Sequence, residues 1–249
     1  MESPWGTVCT DQAPLDILQY RDVDCTLFAP YHYEPTYAYP LLVWLHGPGD
    51  DERQLRRIMP HVSLRNYVAV GPRGACPPDP GELGYQWRQT DRAVGEAERR
   101  VFRSIELACR RYHVAPDRVF VAGYQSGGTM ALRIGLRHPE RFAGAISIGG
   151  PFPTGAPPLA RLRQARALPL LIIQGRESTL YPLEASCDEL HLFHAAAMHV
   201  MLRLYPCGDE LTTQMLHDMD EWIMEQLGAV SGSKSRDVPV HGSGDGLLS

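Results

Sequence analysis

Residues 119–130 run VFVAGYQSGGTM, and a helix-forming stretch, MALRIGLRHPE, occupies 130–140. An apolar run thus ends in a glycine-dense turn and passes straight into a helix. A chain presents a nucleophile above a sheet in this way, by holding one residue on a sharp strand-to-helix turn. The glycines set the register. Gly123 and Gly127 stand two places to either side of Gln125, so the tip of the turn falls on a carboxamide and Ser126 comes one place late.

Working outward, the strand half of this pattern recurs. Strands are expected near 23–29, 40–46, 67–71, 118–123, 143–149, 168–174 and 199–205. Runs such as LLVWL and LLIIQ are apolar at nearly every position, as strands covered on both faces must be, which predicts a mostly parallel sheet. Helices are expected at about 50–59, 91–113, 127–138, 157–167, 182–197 and 210–227. In the second of these Val94, Ala97, Val101, Ile105, Ala108 and Tyr112 recur at helical spacing. Alternating strands and helices imply right-handed crossovers and helices on both faces. The segment CPPDPGELGYQWRQT (76–90) is a proline- and glycine-rich excursion at a strand end, where such folds build clefts. Residues 1–20 are expected to be a lead-in segment, 21–227 one domain, and 228–249 a disordered tail without apolar period.

The chain has 249 residues, 44% of them hydrophobic, enough to bury the core of one large α/β domain. A net charge of −5 gives no reason to expect nucleic acid or an anionic membrane as partner. The six cysteines form no Cys-x-x-Cys pair and are expected to be reduced thiols. Neither a secretory leader pattern nor a run of membrane-spanning length is present, so a cytoplasmic location is expected.

The chain resembles the α/β-hydrolase fold and, within it, the phospholipase/carboxylesterase group of serine esterases. The resemblance covers about 23–227 and rests on LLVWLHGPGDD (41–51), GYQWR (84–88), the turn at 118–150, LIIQGRESTLYP (171–182) and LYPCGDELT (204–212). It implies a Ser-Asp-His triad, which this sequence lacks. The nucleophile's place holds Gln125, the acid's place Ser178 and the base's place Asp209. A glutamine amide cannot be deprotonated to attack an ester. An imidazolium needs the carboxylate that Ser178 does not supply. The oxyanion region falls on Pro48 and Ser126, and Pro48 has no N–H to donate. The resemblance implies no cofactor.

Two readings follow. The first is a pseudo-esterase that binds a small acyl or aromatic ligand, or a protein partner, in a cleft lined by Gly47, Gly49, Tyr85, Trp87, Tyr124 and Phe152. The second is an ester hydrolase with a rearranged site, in which the turn slides so that Ser126 is presented and Glu177 supplies the acid. Non-hydrolytic chemistry at Asp209 and Glu210 is a weaker third. Cys187, His191 and His194 share helical spacing within reach of one metal ion, but packing of His194 accounts for them more simply. The tyrosine-rich YHYEPTYAYP (31–40) is expected to be an extended surface connection.

Overall fold

The structure, a computed structural model, describes residues 24–75, 83–155 and 160–234. The expected lead-in, most of the tail and much of the 76–90 excursion lie outside these residues. Seven strands form one sheet: β1 (Cys25–Phe28), β2 (Tyr39–Leu45), β3 (Val68–Pro72), β4 (Val114–Tyr124), β5 (Gly144–Ile148), β6 (Leu170–Gly175) and β7 (Val200–Tyr205). Their order is β1-β3-β2-β4-β5-β6-β7, with β1 antiparallel and all other pairs parallel.

The sheet is mostly parallel because its central strands are apolar on both faces. All seven residues of β2 are buried. Leu41, Val43 and Leu45 join a core with Val101 and Ile105 of α2 (Asp91–Arg111) and Met130 and Ile134 of α3 (Ser126–Arg137). The alternate residues Leu42 and Trp44 face α1 (Gln54–Val62) and α6 (Thr213–Lys234), where Leu55, Met59, Met219 and Trp222 complete a second core. Full burial of each such side chain is worth roughly 1.5–3 kcal/mol. This two-sided packing fixes the strand register, and hence which residues reach the sheet's C-terminal edge.

Most boundaries fall within a few residues of expectation. Helix α4 (Leu162–Ala165) is shorter than the expected 157–167, of which 157–159 lie outside the described residues. Helix α5 spans Leu183–Ala195, while α6 runs to Lys234, past the expected end at 227. Strand β4 begins early because residues 115–118 bulge out of its ladder: β2 advances only from Tyr39 to Leu41 while β4 advances from Val114 to Val119. No helix among the described residues is long and apolar enough to cross a membrane.

Candidate functional site

The turn after β4 keeps the strained geometry of a nucleophile elbow. Gln125 has φ 48° and ψ −117°, between the end of β4 and the start of α3. Such a conformation costs a non-glycine residue about 1–3 kcal/mol. Packing enforces it. A Cβ on Gly127 would stand 2.3 Å from the Leu45 carbonyl oxygen, and one on Gly123 would stand 2.4 Å from the Gly127 carbonyl. Gln125 N–H donates to Ile148 O at 2.7 Å, and Thr129 N–H donates to Gln125 O at 2.9 Å. The turn has therefore not slid: Gln125 is at its tip, and Ser126 is the first residue of α3.

The Gln125 amide donates to Tyr124 Oη at 3.0 Å and to the Asp209 carbonyl at 3.1 Å, and the Tyr124 hydroxyl donates to that same carbonyl. The Tyr124 ring lies over Gly47, where a Cβ would come within 2.6 Å of its Cδ1. Burial, then the nearby Asp209 charge, pushes the Tyr124 phenol up, so it remains a neutral donor.

Ser178 and Asp209 stand in contact, as acid and base would, with the direction of their bond reversed. The Ser178 hydroxyl donates to Asp209 Oδ1 at 2.5 Å. Thr179 donates through its hydroxyl at 2.8 Å and its N–H at 3.2 Å to Oδ2, and Leu180 N–H donates at 3.3 Å to Oδ1. The Ser178 hydroxyl, followed by the Thr179 donors and the Leu180 N–H, holds the Asp209 carboxyl below the usual carboxylate range. A carboxylate stabilised in this way is a poor proton acceptor. It is therefore unsuited to serve as the base of a rearranged site. The two loops meet closely because Gly175 has no side chain: a Cβ there would lie 2.0 Å from Gly208 O.

The oxyanion region is occupied by the protein's own acceptors. Gly47 N–H donates to Gln54 Oε1 at 3.1 Å, Gly49 N–H to Tyr85 O at 3.2 Å, and Asp50 N–H to Gly47 O at 3.4 Å, while Pro48 has none. Tyr85 sits in this strand-like bridge, next to Gly84 at φ 74°, where a Cβ would meet Gly49 at 2.1 Å.

Of the other candidates, Pro48 and Gly49 are exposed, whereas Trp87, expected to line the cleft, is 2% exposed and donates its indole N–H to His46 O at 3.0 Å. It supports the loop from beneath. Phe152 is half-buried, its N–H shared by the two carboxylate oxygens of Glu189 at 3.2 Å. Ser126 Oγ is buried and has no hydrogen-bond partner among the described residues, so none of their histidines engages it. Glu177 is exposed and, with Glu210 and after burial, pushes the Cys207 thiol up, which disfavours Cys207 as a nucleophile. His217 faces Glu221 at 3.5 Å on α6. His194 is exposed, contrary to the packing expected for it. The buried side chains of α5 are Ser186 and Phe193 instead, and the described residues assemble no group of three metal-ligating side chains.

One structural position beneath the site escaped the sequence reading. His46 is fully buried between obligate partners: its Nδ1 faces Gly47 O at 2.7 Å, and Gly74 N–H donates to its Nε2 at 2.9 Å. A carbonyl can only accept and an amide can only donate, so the proton sits on Nδ1. Burial pushes the ring's pKa down and keeps it neutral. His46 pins the 46–50 loop and takes no part in proton transfer. Its place at the end of an apolar strand, before Gly47, was the available signal.

Comparison with known proteins agrees with this architecture. A family model described as phospholipase/carboxylesterase matches residues 35–227. NocK of Nocardia uniformis subsp. tsuyamanensis, named an esterase, is 31% identical over 153 residues, covering 58% of this chain and 42% of NocK. A SOBER1-like protein of Arabidopsis thaliana, named a carboxylesterase, is 20% identical over 79% of this chain and 82% of its own. The chain spans less than half the length of the first two curated relatives it matches. Among solved structures, Arabidopsis SOBER1 superposes with a TM-score of 0.65 at 22% identity, covering 76% of this chain and all of SOBER1. A Bacillus cereus carboxylesterase superposes with a TM-score of 0.65 at 17% identity, covering 84% of this chain and 97% of its own. At these identities the superpositions speak for the fold.

Proposed function

Because the chain belongs to the phospholipase/carboxylesterase family, we propose that it keeps the family's cleft without its serine-esterase chemistry, and acts there as a binding module for a small acyl or aromatic compound or a protein partner. One observation carries this reading. The tip of an intact elbow bears an amide bonded to Tyr124 and to the Asp209 carbonyl. The reversed Ser178–Asp209 bond and the engaged N–H groups of the 46–50 loop support it. Loss of a triad serine or histidine lowers kcat about 10⁶-fold, so no esterase activity near family levels is expected.

The test is hydrolysis of p-nitrophenyl acetate and labelling by a fluorophosphonate, in the wild type and in a variant combining Gln125→Ser, Ser178→Asp, Asp209→His and Pro48→Leu. The wild type should be inert, and the variant should gain at least about 10³-fold, a fraction of what a full triad supplies. The second reading, a hydrolase using Ser126, draws on the unpartnered Ser126 Oγ. It would replace the first if the wild type were hydrolytic and labelled at Ser126, and if Ser126→Ala abolished both signals.

A further inference from the structure

A groove of about 510 Å³ lies between the tyrosine-rich segment and the C-terminal half of α6, lined by Tyr37, Arg65, Asn66, Arg118, Met224 and Leu227 among others. It sits at the sheet edge opposite the elbow. Arg118 and Gln125 lie on one strand, roughly 20 Å apart at about 3.3 Å per residue. We infer that this groove binds a small organic anion, a carboxylate or phosphate borne on an aromatic or other apolar body.

The charged half of the groove is built by the β4 bulge. Residues 115–118 stand opposite Pro40 alone, three more than the ladder needs, and such a bulge re-aims the side chain that ends it, here Arg118. Arg118 Nε is buried without a hydrogen-bond partner. Among the described residues neither Arg65 nor Arg118 forms an ion pair with its guanidinium. A buried, unpaired guanidinium N–H is costly, and two like charges on one groove repel. Asp220 of α6 is committed elsewhere: it accepts from Tyr67 Oη at 2.6 Å and from Asn66 at 3.3 Å. Among the described lining residues Glu34 is the one acid against two arginines. A bidentate anion pairs with the unpartnered Arg118 guanidinium and offsets the charge of the exposed Arg65 on the same groove.

Among the described residues nothing fills the apolar half. Tyr37 is 49% exposed, its ring edge-on to Tyr39 at 4.7 Å, and Met224 is 45% exposed on the facing helix. Exposed aromatic and thioether groups beside paired cations match an amphiphilic anion, and the volume falls in the range of small-molecule sites.

The experiment is calorimetric titration of the full chain with phenyl phosphate, benzoate and inorganic phosphate. Saturable binding of phenyl phosphate or benzoate with Kd below about 1 mM is expected, and the tighter of the two assigns the headgroup. Arg118→Gln and Arg65→Gln should each weaken it at least tenfold, and Met224→Ser should weaken phenyl phosphate but not inorganic phosphate. Absence of saturable binding, binding unchanged in both arginine variants, or inorganic phosphate binding as tightly as phenyl phosphate would overturn the inference. Because Gln125 and Asp209 are untouched, this outcome is independent of the elbow's chemistry.

Discussion

The elbow and the paired loops opposite it are held in different ways. At the elbow the backbone is intact down to a left-handed φ of 48°, although its tip residue is now Gln125. Across the cleft, Ser178 and Asp209 keep their contact while donor and acceptor roles differ from those of an acid–histidine pair. The first region is held by atoms that cannot move apart: Gly123, Gly127, and the Leu45 and His46 carbonyls. The second is also brought close by a glycine, Gly175 against Gly208 O, but the Ser178–Asp209 contact itself is a side-chain hydrogen bond, which any matched donor and acceptor can form. Steric constraint preserves geometry, and hydrogen-bond complementarity preserves contact.

The largest expected effect tests the steric half. Gly127→Ala places a Cβ 2.3 Å from a backbone oxygen that cannot rotate away, so β2 and α3 must separate. Overpacking of this kind should cost about 3 kcal/mol and lower Tm by about 6–12 °C in a thermal melt. A shift near zero would mean the turn is not packing-enforced. Gln125→Gly should act in the opposite direction, since relief of the strained φ outweighs two exchangeable amide bonds. A gain of about 1 kcal/mol in urea unfolding is expected. A loss would show instead that the amide's bonds hold the turn.

Ser178→Ala is expected to be the mildest change. It removes the first of the donors holding the Asp209 carboxyl below its ordinary value, so an NMR titration should find that pKa raised. A group with a depressed folded pKa contributes stability above its unfolded value, about 3.9, and loses it as pH falls through the folded one. Wild type and variant should therefore differ in Tm near neutrality and converge in strong acid. A difference independent of pH would point to lost packing.

The fold was legible because two-sided burial writes itself into composition: every residue of β2 and β3 is buried, and both appear as unbroken apolar runs. The elbow's register was legible because only glycine fits at 123 and 127. The positions of Ser178 and Asp209 could be aligned, and residue type alone makes the carboxylate the acceptor; the Thr179 and Leu180 N–H groups turning toward that same carboxylate could not be read. The burial of Trp87 and the tautomer of His46 were hidden for a similar reason. Both depend on contacts between segments distant in sequence, Trp87 with His46 and His46 with Gly74. The β4 bulge left no periodic trace, because VAPDRVF changes pairing without changing its apolar flanks.

The strained turn also separates bearer from burden. Since Gly127 and the carbonyls of Leu45 and His46 impose the conformation of residue 125 whatever its side chain, that position is a pedestal with an interchangeable top. A thiol or an unnatural amino acid installed there would be displayed at the head of α3, already oriented, on a support that never depended on the residue it displays.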